Sequence, residues 1–172
     1  MPRTYRFKPL LSTPPTIRAQ VYVKDPLIGE QSGLDFVTLE LAGEAWLGAG
    51  PTSARIEVRD EREPSGAGEP FALFAAPVEP LARGGGFAAG DPRRRDNYKH
   101  HQVNVWAHTQ RTLAMLEDPR VLGRRVAWAF PGGRLVLRPH AFEDENAYYD
   151  RALGAIHFGH FATGKGRNAR NV

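Results

Sequence analysis

The sequence predicts an α+β protein, and three observations carry that expectation. Short alternating stretches bounded by Gly and Pro dominate the first ninety residues. One long helical pattern then runs from about Asp96 to Asp118 and stops at Pro119. Beyond it lie further short apolar runs, Leu135-Val136-Leu137 and the two arms of a hairpin. Expected, therefore, is a β-rich N-terminal module over 1–90. A long helix packed on a mixed or antiparallel sheet with a C-terminal hairpin follows over 91–163, and then a basic flexible tail over 164–172.

The strands of the first part are read from their faces. Arg18 to Val23 alternates imperfectly and is halted by Asp25-Pro26, whereas Leu34 to Leu41 alternates more clearly. Ala54 to Arg59 places Ile56 and Val58 on one face and Arg55, Glu57 and Arg59 on the other. Glu61 to Pro70 reads as a polar loop. Phe71 to Pro80 is apolar but broken by Pro77 and Pro80, which suits an irregular or edge segment. Gly84-Gly85-Gly86 fits neither phosphate-loop spacing and is expected to be a connection.

The helix is expected to be capped by Asp91 or Asp96, whose carboxylate accepts free backbone N–H groups. Tyr98, Val105, Thr109, Leu113 and Leu116 fall near one face, with Trp106 beside it. Val121 to Phe130 reads as strand-like and Pro131-Gly132-Gly133 as a turn. Asn146 to Tyr149 and Ala155 to Phe158 form the hairpin arms, joined by 150–154.

Composition narrows the function classes. Among 172 residues there are 18 glycines, 14 prolines and no cysteine, so disulfides and thiolate metal sites are excluded. No apolar run reaches the ~18 residues of a membrane span, and no apolar core follows the basic N-terminus as in a signal peptide. A cytoplasmic protein without a membrane partner is the expectation. The net charge of +4 is concentrated at Arg93-Arg94-Arg95 and in the tail from Lys165 to Arg170. Few aromatics are interleaved for base stacking, so nucleic acid is the least favoured partner.

Six histidines raise the question of a metal. His100 and His101 are adjacent and point about 100° apart on a helix, while His101 and His108 lie about 10 Å apart along its axis. His157 and His160 are three apart, which on a regular strand puts them on opposite faces. No His-Glu dipeptide exists, so the zinc-helix motif H-E-x-x-H is absent. No metal site, no catalytic residue and no cofactor in this chain are expected, although histidines from separate segments are free to converge. Glu143-Asp144-Glu145 reads as a solvated turn, and no serine sits in a nucleophile elbow.

Three stretches carry a family resemblance. They are Leu135 to Ala141, Glu145-Asn146-Ala147-Tyr148-Tyr149-Asp150, and Gly154 to Phe161, preceded by a helix that opens with Asn97-Tyr98-Lys99-His100-His101 and contains Trp106. In order and spacing they resemble the front part of the gluzincin, or thermolysin-like, zinc metallopeptidases, including a group of uncharacterised bacterial proteins with a β-rich segment ahead of the helix. The match is strong over Asp91 to Phe161 and weaker before it.

In that family the Asn-Ala-aromatic-aromatic strand lies at a sheet edge and pairs with the bound peptide. The resemblance therefore implies a substrate-binding role for Asn146 and Ala147, with Tyr148 and Tyr149 flanking a side-chain pocket. One of the two tyrosines is expected merely to pack the sheet, because neighbours on a strand face opposite ways.

The family's zinc ligands and general base lie downstream of this region. The resemblance thus implies a non-catalytic N-terminal portion of a hydrolase, whose zinc enters only with a catalytic half. That half would be in the same gene product, on a separate chain, or lost in a degenerate relative. The alternative from another class is a stand-alone peptide- or protein-binding module.

Overall fold

The computed structural model describes residues 16–23, 36–44, 46–82, 85–94, 96–163 and 170–171. The N-terminal basic segment, Asp25-Pro26, Gly84, Arg95 and most of the basic tail lie outside them. The fold is α+β, as the sequence predicts.

β1 (Thr16–Tyr22) and β2 (Phe36–Ala42) form an antiparallel pair in register from Thr16 opposite Ala42 to Tyr22 opposite Phe36. β3 (Ile56–Val58) follows, with Ile56 and Val58 buried around the half-buried Glu57, the faces its alternation requires. The stretch read as a polar loop contributes a two-residue strand, β4 (Glu61–Arg62), paired with β5 (Ala72–Leu73). The turn between them, at 65–68, is Ser-Gly-Ala-Gly.

α1 spans Tyr98–Glu117. Its cap is Asn97, not Asp91 or Asp96: the Asn97 side chain accepts the His100 N–H and donates to the carbonyls of Ala89 and Asp91. Only an amide both accepts and donates in this way. Asp91 and Asp96 are taken by Arg93 and Arg94.

The buried face of α1 also differs from the expected one. It carries His100, Gln102, Val103, Trp106, Ala107 and Leu113. Two polar residues replace apolar ones there because each has buried surroundings of its own, which periodicity of apolar residues does not reveal.

Val121 to Phe130 is not a strand. Its first N–H groups bond back to the helix end, Val121 and Gly123 to the Asp118 carbonyl and Leu122 to that of Leu116. Val126 is held by side chains: its N–H donates to Glu117 at 2.7 Å, and its carbonyl accepts from Arg55. These groups therefore have partners without a ladder.

The main sheet has the order β3-β6-β8-β7, with β6 (Leu135–Glu143), β7 (Ala147–Asp150) and β8 (Ala155–His160). β3, β6 and β8 run parallel, and β7 returns antiparallel to β8 through the predicted hairpin. β6 is far longer than the expected Leu135-Val136-Leu137. It continues through Pro139, where the register to β8 breaks: Arg138 pairs with His157, but the next partners are Phe142 and Gly159. A proline has no N–H for a central ladder, so the chain bulges around it.

A single apolar cluster joins β1, β3, α1 and β6. Ile17, Val21, Ile56, Trp106 and Leu137 are fully buried within it. β9 (Ala162–Thr163) and β10 (Arg170–Asn171) form a separate short antiparallel pair.

Candidate functional site

β7 is the outermost strand of the main sheet, and among the described residues β8 is its only partner. Its hydrogen-bonding direction follows from one bond, in which the Gly159 N–H donates to the Asn146 carbonyl at 2.8 Å. Successive residues of an antiparallel strand alternate between facing the partner and facing away. Ala147 and Tyr149 therefore turn both backbone groups outward, whereas Tyr148 and Asp150 turn theirs toward β8. Among the described residues the Ala147 N–H donates to no neighbouring strand; its acceptor is the Asn146 side-chain oxygen at 2.8 Å. The Asn146 amide thus sits on the outer edge, in the place an added strand's carbonyl would take.

The two tyrosines part company. Tyr148 stacks on His157, with ring centroids 4.8 Å apart, and its hydroxyl donates to Glu63. Burial and the Glu63 carboxylate push its phenol up to about 12. Tyr149 lies on the other face beside Phe130, which in turn stacks on Trp128. Both rings stay largely open, Tyr148 at 42% exposure and Tyr149 at 50%. Tyr148 is fixed to the sheet and Tyr149 is the freer of the two.

Beneath the β4–β5 segment lies a buried polar network that no local motif in the sequence announces. Asp60 accepts from Gln102 Nε2 at 2.8 Å and contacts His140 Nδ1 at 2.8 Å. Gln102 also accepts the Val78 N–H at 2.9 Å, so the helix side chain bridges two loops. His140 Nε2 is 2.9 Å from His101 Nδ1. A carboxylate at Nδ1 requires a proton there. One proton lies between the two rings, on either His140 Nε2 or His101 Nδ1. The chain Asp60–His140–His101 thus links α1 to a buried carboxylate through two imidazole rings.

Glu63 is a second anchor. Besides Tyr148 it takes His157 Nδ1 at 2.6 Å, and its N–H donates to the Ala141 carbonyl at 2.8 Å. Arg62, next to it, reaches Glu143 at 3.2 Å and His160 Nε2 at 3.1 Å and lies over the Phe74 ring. An arginine only donates, so His160 Nε2 accepts. Burial chiefly, then His140 and Arg62, lowers the His160 pKa, consistent with a neutral ring. Arg138, 5% exposed, bonds Glu61 at 3.2 Å under Phe71. Residues 60–63 therefore fasten the sheet's polar residues one after another.

His157 and His160 do not obey the expected alternation. Both are buried, and both meet the same overlying segment, His157 at Glu63 and Phe71 and His160 at Arg62 and Phe74. The rule holds for a regular ladder, and this one shifts register beside them. Histidines 101, 140 and 160 do converge from three segments, through ring contacts of 5.2 and 5.6 Å at His140. Among the described residues, however, no group of three or more His, Asp or Glu is arranged to hold a metal ion.

Arg93 and Arg94 each chelate an aspartate two residues away, Asp91 at 3.0 Å and Asp96 at 3.2 Å, which spends their charge locally. Glu143 pairs with Arg62, while Asp144 and Glu145 are exposed before β7. Among the described residues no helix is long and apolar enough to cross a membrane. Neither a family model, nor a curated protein, nor a solved structure matches the chain.

Proposed function

We propose that this chain forms the substrate-strand wall of a peptide cleft, as a non-catalytic portion of a gluzincin-like zinc metallopeptidase whose metal and general base belong to a catalytic half. The observation that carries this reading is the position of β7 at the open edge of the main sheet, with the backbone groups of Ala147 and Tyr149 turned outward. An extended peptide laid along that edge satisfies them as an added strand. It accepts from the Tyr149 N–H, donates to the Ala147 and Tyr149 carbonyls, and displaces the Asn146 amide from the Ala147 N–H. Asn146 is then released to bond the peptide's own backbone.

The buried network supports the same reading from beneath. An edge strand that captures peptides has to be held without a second neighbour, and Glu63, through Tyr148 and His157, ties β7 and β8 to the loop after β4. A stand-alone binding module would use the same strand. The two differ in the partner: the peptidase reading requires a zinc-bearing half that closes the cleft.

The test is peptide binding by Tyr149→Pro and Tyr149→Ala variants. Proline removes the outward N–H and is tolerated at a sheet edge, whereas alanine removes only the ring. Binding lost with proline and largely kept with alanine supports strand addition. Equal binding by the proline variant overturns it. Co-purification of a zinc-containing chain separates the peptidase reading from the stand-alone module.

A further inference from the structure

We infer that the peptide taken by β7 is cationic, carrying Lys or Arg side chains; this rests on the strand-addition reading above. The edge and its approaches are acidic on a protein that is otherwise basic. From Glu143 to Asp150 the sequence holds four carboxylates and no Lys or Arg, while the whole chain has a net charge of +4. The acidic residues bracket the strand: Glu143, Asp144 and Glu145 precede it, and Asp150 closes it. Glu63 lies beside Tyr148 at its middle.

The offsetting charges are few. Arg62 pairs with Glu143, His157 meets Glu63, and Arg151 follows in the turn. Among the described residues Asp144 and Glu145 have no ion pair, and the only side-chain bond of Asp144 is to the next backbone N–H. Asp150 spends its carboxylate on the N–H groups of Ala152 and Leu153, which leaves its charge in place at the strand's far end.

The carboxylates flank both ends of β7: Glu145 lies two residues before Ala147, and Asp150 is the last residue of the strand. Tyr149, half exposed on the face opposite Tyr148, offers a π face to a passing guanidinium or ammonium group. Backbone pairing alone is indifferent to side chains; the charge would supply the choice among peptides.

The experiment uses the full chain and three eight-residue peptides with the same β-branched filler, bearing Lys, Gln or Glu at two positions four apart. The Lys peptide is expected to bind about tenfold tighter than the Gln peptide at low ionic strength, with the Glu peptide weakest, and the advantage to shrink at high salt. Asp144→Lys combined with Glu145→Lys is expected to collapse the Lys-over-Gln ratio. Equal binding of all three peptides, or an unchanged ratio in the double variant, overturns the cationic preference and leaves strand addition standing. Failure of every peptide to bind removes the strand-addition reading, and the inference falls with it.

Discussion

Asp60 and His140, eighty residues apart in sequence, meet at 2.8 Å with both side chains almost wholly buried, and Gln102 holds the second carboxylate oxygen. A carboxylate in such a place is stable only while its hydrogen bonds persist. Asp60→Ala strands the His140 Nδ1–H and one Gln102 Nε2–H, the other staying with the Ala76 carbonyl, and is expected to cost about 3 kcal/mol in chemical denaturation. Asp60→Asn keeps one acceptor and should cost less. If Asp60→Ala unfolds at the wild-type midpoint, the network contributes nothing to the fold.

The Nδ1 proton of His140 follows from the same contact. With Asp60 accepting there, the nitrogen-15 shifts of His140 should report a protonated Nδ1. Asp60→Ala should release this preference. An unprotonated Nδ1 in the wild-type protein would contradict the Asp60–His140 hydrogen bond.

His100 makes a prediction about acid. It is 1% exposed, packed edge-on to Tyr22 at 4.9 Å, and its Nε2 has no hydrogen-bond partner among the described residues. Burial lowers its pKa from 6.5 to about 4. A ring that resists protonation when folded binds its proton more readily when unfolded. Its contribution is therefore complete above pH 6.5 and is lost as the pH falls toward 4. The loss is on the order of 2–3 kcal/mol. His100→Phe keeps the ring and removes both the orphaned nitrogen and this slope. The variant should match or exceed wild-type stability at pH 7 and lose less of it at pH 5, as read from melting temperatures.

Gly159 is required by space rather than by dihedral freedom. A Cβ there would stand 2.1 Å from the Asp144 carbonyl oxygen and 3.0 Å from that of Asn146. Those carbonyls belong to the chain entering β7, so Gly159→Ala should push the edge strand outward. A destabilisation of about 2 kcal/mol or more is expected, with the largest amide shifts over 144–149. Wild-type stability in this variant would mean that the approach is looser than described.

Much of the architecture was legible because it rests on local pattern. Ile56 and Val58 share a buried face as their alternation requires, Pro119 follows the helix, and the hairpin after Asn146 has its arms where the apolar pairs lie. The edge position of β7 is not written in any property of its four residues.

What was not legible depends on contacts between distant segments. Gln102 and His100 on the buried face of α1 make sense only beside Asp60, Val78 and Tyr22. Residues 59–63, Arg-Asp-Glu-Arg-Glu, have the composition of a solvated loop, yet Asp60 is buried and Glu63 anchors Tyr148. Pro139 inside a central strand argues against that strand until the register shift absorbs it.

The central claim is that β7 receives a peptide as a new strand, and amide-resolved NMR on the nitrogen-15-labelled chain with the Lys peptide tests it most directly. The outward Tyr149 N–H should shift and gain protection from solvent exchange on binding, while the Tyr148 N–H, already turned to β8, is protected before and after. If the Tyr149 amide is equally exchangeable with and without bound peptide, β7 is not the docking strand and the account fails.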